Sequence, residues 1–167
     1  RLISDKSAEE LFPLVKAVLQ EKGLWQQALE TEKRPWFLKL IRLLKERSRK
    51  IEDFSDRALP FISDDFPYES KAIKKHLKDE RLGELLARLI DDLRRLESFK
   101  ALPLEKALRS RAEKEGIKPA LLIHAARVLV LGTRVSPGIF DVLEVIGKEK
   151  TIERLAVFDS LCKSCKQ

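Results

Sequence analysis

The sequence is poor in the residues from which most catalytic and cofactor sites are built. Its 167 residues include two histidines, two cysteines, six glycines and no methionine. Two histidines are too few for a three-histidine metal site, and the glycines are scattered instead of forming a phosphate-binding loop. The neighbours Asp91 and Asp92 would point about 100° apart on a helix, so they are poorly placed to share one substrate. We therefore predict no catalytic residue and no metal site in this chain.

The two cysteines form a single Cys-x-x-Cys pair, Cys162 and Cys165, near the end of the chain. Such a pair can be half of a zinc site or a redox pair. No second pair of ligands accompanies it, and His76 and His124 are distant in sequence. We expect a frayed helix end with two free thiols. Scarce cysteine is typical of a reducing compartment, and we predict a cytoplasmic location.

No apolar run reaches the length of a membrane span. The best candidate is interrupted by His124 and Arg127, whereas a spanning helix needs about 18 to 20 apolar residues. The start of the chain also lacks the pattern of a secretory signal. We predict no membrane partner. Because the chain begins at Arg1 and contains no methionine, we expect an excised C-terminal piece of a longer protein.

Positive charge is what the sequence has in excess. Lysine and arginine number 34 against 27 aspartates and glutamates, which gives a net charge of +7 and a pI near 9.5. This excess favours a polyanionic partner, although a basic surface without any partner would have the same composition. The 44% of apolar residues is ordinary for a protein that buries a core.

The apolar residues recur at three- and four-residue steps, which predicts an all-α fold of two small helical bundles in series. Ser7 and Glu10 form a capping-box pattern at a first helix; Pro13 predicts a kink or break in it, and Pro60 predicts the end of a later helix. A long amphipathic helix over residues 79–98 is interpreted as joining the two bundles. The predicted subdomains are therefore residues 1–78 and 79–167.

The last third of the chain carries strong helix start and stop signals. Pro119 suits the first turn of a helix, and Gly132 suits a left-handed cap at its end. Ser136 and Pro137 read as an N-cap followed by a proline at the first helical position, and Gly147 ends that helix. A helical hairpin and a third helix are predicted here.

Several motifs of this stretch occur together in one known family. They are Gly-x-Lys at 116–118, Ala-Arg-Val at 126–128, Leu-Gly at 131–132, Ser-Pro-Gly-Ile-Phe at 136–140 and Gly-Lys-Glu at 147–149, with Arg154-Leu155 after them and looser matches at 40–47 and 65–72. In this order they resemble the C-terminal, all-helical anticodon-binding region of bacterial-type glutamyl-tRNA synthetases, which are class I enzymes. Many family members have Pro-Leu-Arg where this chain has Ala125-Ala126-Arg127.

The resemblance implies a parent enzyme that joins glutamate to tRNA with ATP and Mg²⁺. The His-x-Gly-His and Lys-Met-Ser-Lys-Ser signatures of its catalytic domain do not occur in this sequence. The resemblance therefore also implies that this chain is not catalytic by itself and needs no cofactor. Its expected partner is tRNA(Glu), bound by a monomer.

Arginine and lysine side chains near predicted turns are the candidates for RNA contacts. Phosphate-neutralising positions are predicted at Arg42, Lys45, Arg47 and Arg49. Base-reading positions are predicted at Arg57, Arg127 and Arg134, because the guanidinium fork makes two parallel hydrogen bonds. Each of these could instead form an ordinary surface ion pair. Trp25 and Trp36 are expected at the edge of the core, His124 packed or hydrogen-bonded, and His76 exposed.

Three other functions fit the same sequence. A scaffold for protein partners would have an exposed apolar groove. A general RNA-binding helical module would bind tRNAs without preference. Within the family, a nondiscriminating enzyme would also charge tRNA(Gln), and a residue such as Arg57 would decide between the two.

Overall fold

The computed structural model describes residues 3–165, with side chains described up to residue 162. All regular structure in this part of the chain is helical, so the predicted all-α class is confirmed. The chain divides into two compact units, one ending at Asp65 and the other beginning at Phe66. No helix in the described range is long and apolar enough to span a membrane.

The first unit is built from three α-helices and two short 3-10 helices. These are Ile3–Asp5 (3-10), α1 Ala8–Glu21, Gln27–Glu30 (3-10), α2 Arg34–Lys45 and α3 Asp53–Ile62. The capping box at α1 is present, since the Ser7 hydroxyl accepts from the Glu10 amide and the Glu10 carboxylate accepts from the Ser7 amide. Trp25 packs edge-on against Phe12 and Phe37 and is half-buried, as predicted for the edge of a core.

Two prolines lie inside helices where the sequence predicted a break or an end. Pro13 lies within α1, which is continuous, and Pro60 lies within α3, which continues to Ile62. Proline removes one backbone donor and disfavours the helical conformation of the preceding residue. At position 60 burial of the ring beside Phe61 offsets that cost, so the predicted stop at Pro60 was wrong.

The second unit contains seven helices in the described range: α4 Ser70–His76, α5 Leu82–Arg94, α6 Ala101–Glu115, α7 Pro119–Leu131, α8 Ile139–Ile146, α9 Lys148–Leu155 and α10 Phe158–Cys165. Helix α7 forms its centre. Seven of the thirteen residues of α7 are buried, and it packs against α4, α5, α6, α8 and α9.

The boundary between the units lies before α4, and the predicted boundary after residue 78 was wrong. The Tyr68 hydroxyl donates to the carbonyl of Leu129 at 2.8 Å, and the Glu69 amide donates to the carbonyl of Gly132 at 2.8 Å. Both bonds hold the start of α4 on the end of α7. Helix α5 is shorter than the predicted 79–98 helix and packs on α6, α7 and α9, so it does not join two bundles.

Gly132 ends α7 in a left-handed conformation with φ of 75°, as the sequence predicted. A Cβ atom placed on this residue would lie 2.2 Å from the carbonyl oxygen of Pro67. Gly116, at the end of α6, has a similar φ of 65°, but nothing lies within 4 Å of the position that a Cβ atom would take there. The two glycines therefore share a backbone requirement and differ in the space around them.

We predict that Gly132→Ala destabilises the second unit much more than Gly116→Ala. The left-handed backbone alone costs an alanine about 1 to 2 kcal/mol, which sets the expected loss for Gly116→Ala. Collision with the Pro67 carbonyl adds overpacking of about 1 to 3 kcal/mol. Urea unfolding followed by circular dichroism measures both. Equal losses for the two variants would contradict the proposed close approach.

Candidate nucleic-acid interface

Two of the predicted phosphate-binding residues lie on the last turns of α2. The guanidinium of Arg42 pairs with the Glu9 carboxylate of α1 at 3.1 Å, and both side chains are more than half exposed. The Lys45 ammonium donates to the carbonyl of Lys6 at 3.0 Å. An exposed pair of this kind contributes little to stability, so Arg42 can exchange Glu9 for a phosphate at little cost.

The turn after α2 presents exposed cations on a fixed backbone. The Asp53 carboxylate accepts the amides of Arg49 at 2.9 Å and Lys50 at 3.0 Å. These backbone hydrogen bonds, from Lys50 first and then Arg49, lower the pKa of Asp53 below its usual value. The Asp53 side chain thus holds the turn that precedes α3 through its backbone amides. The N-cap residue of α3 is Glu52. The buried Ser48 hydroxyl donates to the Leu44 carbonyl at 2.9 Å.

We call the side chains of Arg47, Arg49, Lys50 and Arg57 the α2–α3 corner. Arg47, Arg49 and Lys50 are exposed, and Arg57 is half-buried one helical turn after Asp53. None of these four has an ion-pair partner within 4 Å among the residues that the structure describes. Three of the seven predicted contact residues are therefore brought together here around one turn.

The other two candidates lie in the second unit, at the junction of α7 and α8. Arg127 is half-buried, and its Nε donates to the Ser136 hydroxyl at 2.8 Å. The same hydroxyl donates to the carbonyl of Pro137 at 2.6 Å. The sequence predicted Ser136 as the N-cap residue of α8, and this was wrong. The N-cap residue is Gly138. The Arg127 side chain instead ties residues 133–138, here called the α7–α8 loop, to helix α7.

Arg127 also identifies the protonation state of a neighbouring histidine. One of its terminal nitrogens lies 3.2 Å from Nδ1 of His124. Because a guanidinium only donates, Nδ1 of His124 must accept. The proton of this neutral imidazole is therefore on Nε2. The prediction that His124 is hydrogen-bonded is confirmed.

The α7–α8 loop exposes two adjacent side chains of different character. Arg134 is exposed and has no ion-pair partner within the described residues. Val135 is 59% exposed, and its amide donates to the Thr133 hydroxyl at 3.3 Å. A cation beside an apolar surface suits a nucleotide, whose phosphate is anionic and whose base is flat and apolar on its faces.

His76, which the sequence predicted to be exposed, is half-buried and stacks on His124. Their ring centroids lie 4.7 Å apart with an angle of 26° between the planes. Burial lowers the pKa of His76, and the neighbouring His124 ring and the positive charges of Lys75, Arg134 and Arg127 lower it further. The pKa of His124 is lowered in the same way by burial and then by Arg127 and Lys75. The two rings mark a place where several cations converge.

The described residues contain no arrangement typical of catalysis or metal binding. No three His, Cys, Asp or Glu side chains among them could hold a metal ion. Asp92 is engaged by Arg111 at 2.7 and 2.9 Å, and Asp91 pairs with Arg94 at 3.4 Å. Within the same range Cys162 makes a weak 3.5 Å contact with the Leu77 carbonyl; the side chain of Cys165 lies outside it.

Comparison with known proteins identifies the family of this chain. The model of the anticodon binding domain family matches residues 6–158. The chain belongs to this family of anticodon-binding domains. Relatives include glutamate–tRNA ligase 2 of Caldicellulosiruptor saccharolyticus, 32% identical over 147 residues, and glutamate–tRNA ligase 2 of Koribacter versatilis, 34% identical over 148 residues. These matches cover 88% and 89% of this chain and 30% of each relative.

Solved structures agree with the sequence matches. A glutamate tRNA ligase from Elizabethkingia meningosepticum, in complex with its amino acid, superposes with a TM-score of 0.80 at 26% identity over 95% of this chain and 30% of that chain. The synthetase of Elizabethkingia anophelis gives a TM-score of 0.74. The anticodon-binding domain thus spans about 30% of the length of the relatives it matches, and the family resemblance found in the sequence is confirmed.

The sequence did not reveal the convergence of His76 and His124 or the cations around them. These two residues are distant in sequence, and only the packing of α4 on α7 brings them together. A cluster of Lys71, Lys74, Lys75 and Lys78 was visible in the sequence, but its neighbours were not. The signal that was present, a lysine-rich short helix, is equally typical of a solvated surface.

We predict that the second unit loses stability as the pH falls from about 7.5 to 5.5. Both histidines have folded-state pKa values below the ordinary 6.5, so the unfolded chain binds more protons in this window. The free energy of unfolding therefore rises with pH here. Urea unfolding of the wild type and of His76→Gln/His124→Gln at several pH values measures the effect. A double variant with the same pH dependence as the wild type would contradict the assignment.

Proposed function

We propose that this anticodon-binding domain binds the anticodon arm of tRNA(Glu) and positions it for ATP-dependent glutamylation by a catalytic region of the same protein. The supporting observation is the placement of exposed cations at helix junctions, at the α2–α3 corner in the first unit and at the α7–α8 loop in the second. Exposed cations without ion-pair partners can neutralise phosphates, which sets the position of an RNA without reading its sequence.

Base reading is proposed at the α7–α8 loop. Arg127 is already oriented by Ser136 and His124, so little conformational entropy is lost when an RNA base approaches. Arg134 and Val135 are exposed beside it. Anticodon bases are unstacked in a loop and can be read on their edges or packed on side chains. Arg57 at the α2–α3 corner is the corresponding candidate in the first unit.

The surface gives no support to a scaffold for protein partners. Among the described residues the large exposed apolar side chains are Leu14, Leu102 and Val135, which lie on three separate elements. An apolar docking groove would need a contiguous patch of a few hundred square ångströms, roughly. The same scatter favours a monomer, and a cytoplasmic location follows from a role in charging tRNA.

We predict that the two classes of contact respond differently to substitution. Arg47→Ala/Arg49→Ala removes phosphate contacts, so it is expected to weaken the binding of all tRNAs equally. It also lowers the magnitude of the slope of log affinity against log salt concentration by about 2. Arg127→Lys and Arg134→Ala remove base contacts, so they reduce the preference for tRNA(Glu) by about tenfold or more. Lys100→Ala/Lys106→Ala, on the exposed side of α6, is the matched control for lost charge. Fluorescence anisotropy measures all four.

The wild-type titration itself separates the alternatives. Binding of tRNA(Glu), tRNA(Gln) and an unrelated tRNA with one affinity would overturn anticodon-specific recognition in favour of a general RNA-binding module. Equal affinity for tRNA(Glu) and tRNA(Gln), with weaker binding of the third, would identify a nondiscriminating enzyme. No binding to any tRNA at low salt would overturn the proposed function.

We further predict that the isolated chain does not activate glutamate. The described residues contain no cluster suited to holding a metal, and the family match is to the anticodon-binding part of the relatives. Glutamate-dependent exchange of pyrophosphate into ATP measures activation, with a full-length glutamate–tRNA ligase as the positive control. Exchange above background that depends on glutamate and on this chain would contradict the prediction.

A further inference from the structure

A second concentration of positive charge lies in the second unit, apart from the α7–α8 loop. A cleft of about 480 Å³ separates the end of α4 from the beginning of α7. Its basic lining residues are Lys75, His76, Lys78, Arg81, Lys118 and His124. Asp79 is the single carboxylate among the residues that line it. The four permanent cations therefore exceed the one carboxylate by three charges.

The Asp79 carboxylate does not neutralise the charge of the lysines in the cleft. Nε and a terminal nitrogen of Arg81 donate to the two oxygens of Asp79 at 3.1 and 2.8 Å, and the Arg81 amide donates at 2.9 Å. These hydrogen bonds lower the pKa of Asp79 to about 2. Asp79 and Arg81 thus satisfy each other. Lys75, Lys78 and Lys118 are exposed and have no ion-pair partner within the described residues.

The start of α7 adds to the preference for an anion. Pro119 is its first residue, and the N-cap residue Lys118 provides no side-chain hydrogen bond. The first turn also contains no acidic residue, so nothing on the helix itself offsets the positive end of its dipole. Ala120 and Leu121, in this first turn, line the cleft. Helix N-termini of this kind bind phosphate groups together with neighbouring cations.

A continuous set of contacts connects the cleft to the proposed base-reading loop. His124 lines the cleft and accepts from Arg127, which in turn donates to Ser136 in the α7–α8 loop. Lys118 and Arg127 are separated by about 14 Å along the axis of one helix. That separation is within the span of a few nucleotides of a single strand.

We propose that the α4–α7 cleft binds a backbone phosphate of the RNA, next to the nucleotides held at the α7–α8 loop. The cleft is a subsite of the proposed function and depends on it. Lys75 and Lys118 supply the charge from the two sides, and the first turn of α7 supplies a dipole. His124 supplies a neutral donor, because its remaining ring proton is on Nε2. The contact is with phosphate and not with a base, so it adds affinity without selecting a sequence.

A phosphate in the cleft changes the protonation equilibrium of His76. The charged groups that face His76 are Lys75, Arg127 and Arg134, and Lys75 and Arg127 face His124. Across the cleft lie Lys78, Lys118 and the Arg81–Asp79 pair. A bound phosphate favours the imidazolium form of His76, whereas His124 stays neutral because its Nδ1 accepts from Arg127. The RNA is therefore expected to bind more tightly as the pH falls from about 8 to about 6.

The experiment compares two double variants of the whole chain in titrations with tRNA(Glu). Lys75→Ala/Lys118→Ala removes two cations from the cleft, and Lys100→Ala/Lys106→Ala removes two from the exposed start of α6. Two phosphate contacts account for about a tenfold loss of affinity when the salt concentration rises from about 50 to 200 mM. The cleft variant is expected to lose that part of the salt dependence and to weaken all tRNAs alike, and Lys75→Arg/Lys118→Arg is expected to restore it.

The histidine rings give a second, independent readout. The chain has only two histidines, so their ring signals can be followed individually by NMR. The pKa of His76 is expected to rise and the ring signals of both histidines are expected to shift when tRNA(Glu) is added to the wild type. Affinity is expected to increase from about pH 7.5 to about pH 6, and the increase is expected to vanish in His76→Gln/His124→Gln.

The outcomes separate the cleft from the proposed function. If the wild type binds no tRNA, the proposed function and the cleft both fail. If the wild type binds and Arg134→Ala weakens it, but the cleft variant matches the α6 control, the cleft proposal alone is overturned. If the cleft variant does not fold, the wild-type histidine signals decide, because rings that tRNA does not perturb also overturn the proposal.

Discussion

The arrangement of the second unit depends on one close approach between backbones. The Pro67 carbonyl lies where only a glycine fits, against Gly132 at the end of α7. That approach lets the Glu69 amide reach the Gly132 carbonyl and the Tyr68 hydroxyl reach the Leu129 carbonyl. Helix α4 is thereby fixed along α7, and α4 carries His76 onto His124. A side chain at position 132 would alter this packing and everything that lines the cleft beyond it.

The cations of this chain fall into two classes that the sequence does not distinguish. Arg154 is 6% exposed, donates to the Val130 carbonyl at 2.8 Å and stacks on Phe66. Lys148 donates to the carbonyls of Arg94 and Leu96 at the end of α5, where a cation also complements the helix dipole. These side chains hold helices together. The charges at the α2–α3 corner and in the α4–α7 cleft remain on the surface, where a polyanion can reach them.

The helical class and most helix ends could be predicted from the sequence, because they depend on local signals. The capping box of Ser7 and Glu10 and the left-handed Gly132 are determined within a few residues. Ser136 shows the limit of such reasoning: its sequence pattern is that of an N-cap, but its hydroxyl is taken by Arg127 from the preceding helix. Pro60 shows the same limit, because tertiary burial outweighed its tendency to end a helix.

The types of residue in the candidate site could be predicted from the sequence. Which residues come together there could not. Arg47, Arg49, Arg127 and Arg134 could be proposed as contacts from the sequence because they lie near predicted turns. Lys118 and the stacked histidines were missed because their proximity arises from contacts between distant segments. The ion pair between Arg42 of α2 and Glu9 of α1 could not be predicted from the sequence for the same reason. Charge patterns identify which residues could contact a ligand, whereas packing decides which of them face the same one.

The hydrogen bond between Arg127 and Ser136 has a consequence for how such a domain can evolve. It fixes the length of the loop, since an inserted or deleted residue between Gly132 and Ser136 would separate the two partners. The side chains at 134 and 135 take no part in that bond and are exposed. Substitutions at these two positions are therefore compatible with the hydrogen bond and with the helices beneath, so the exposed surface of the loop can change while the scaffold is kept.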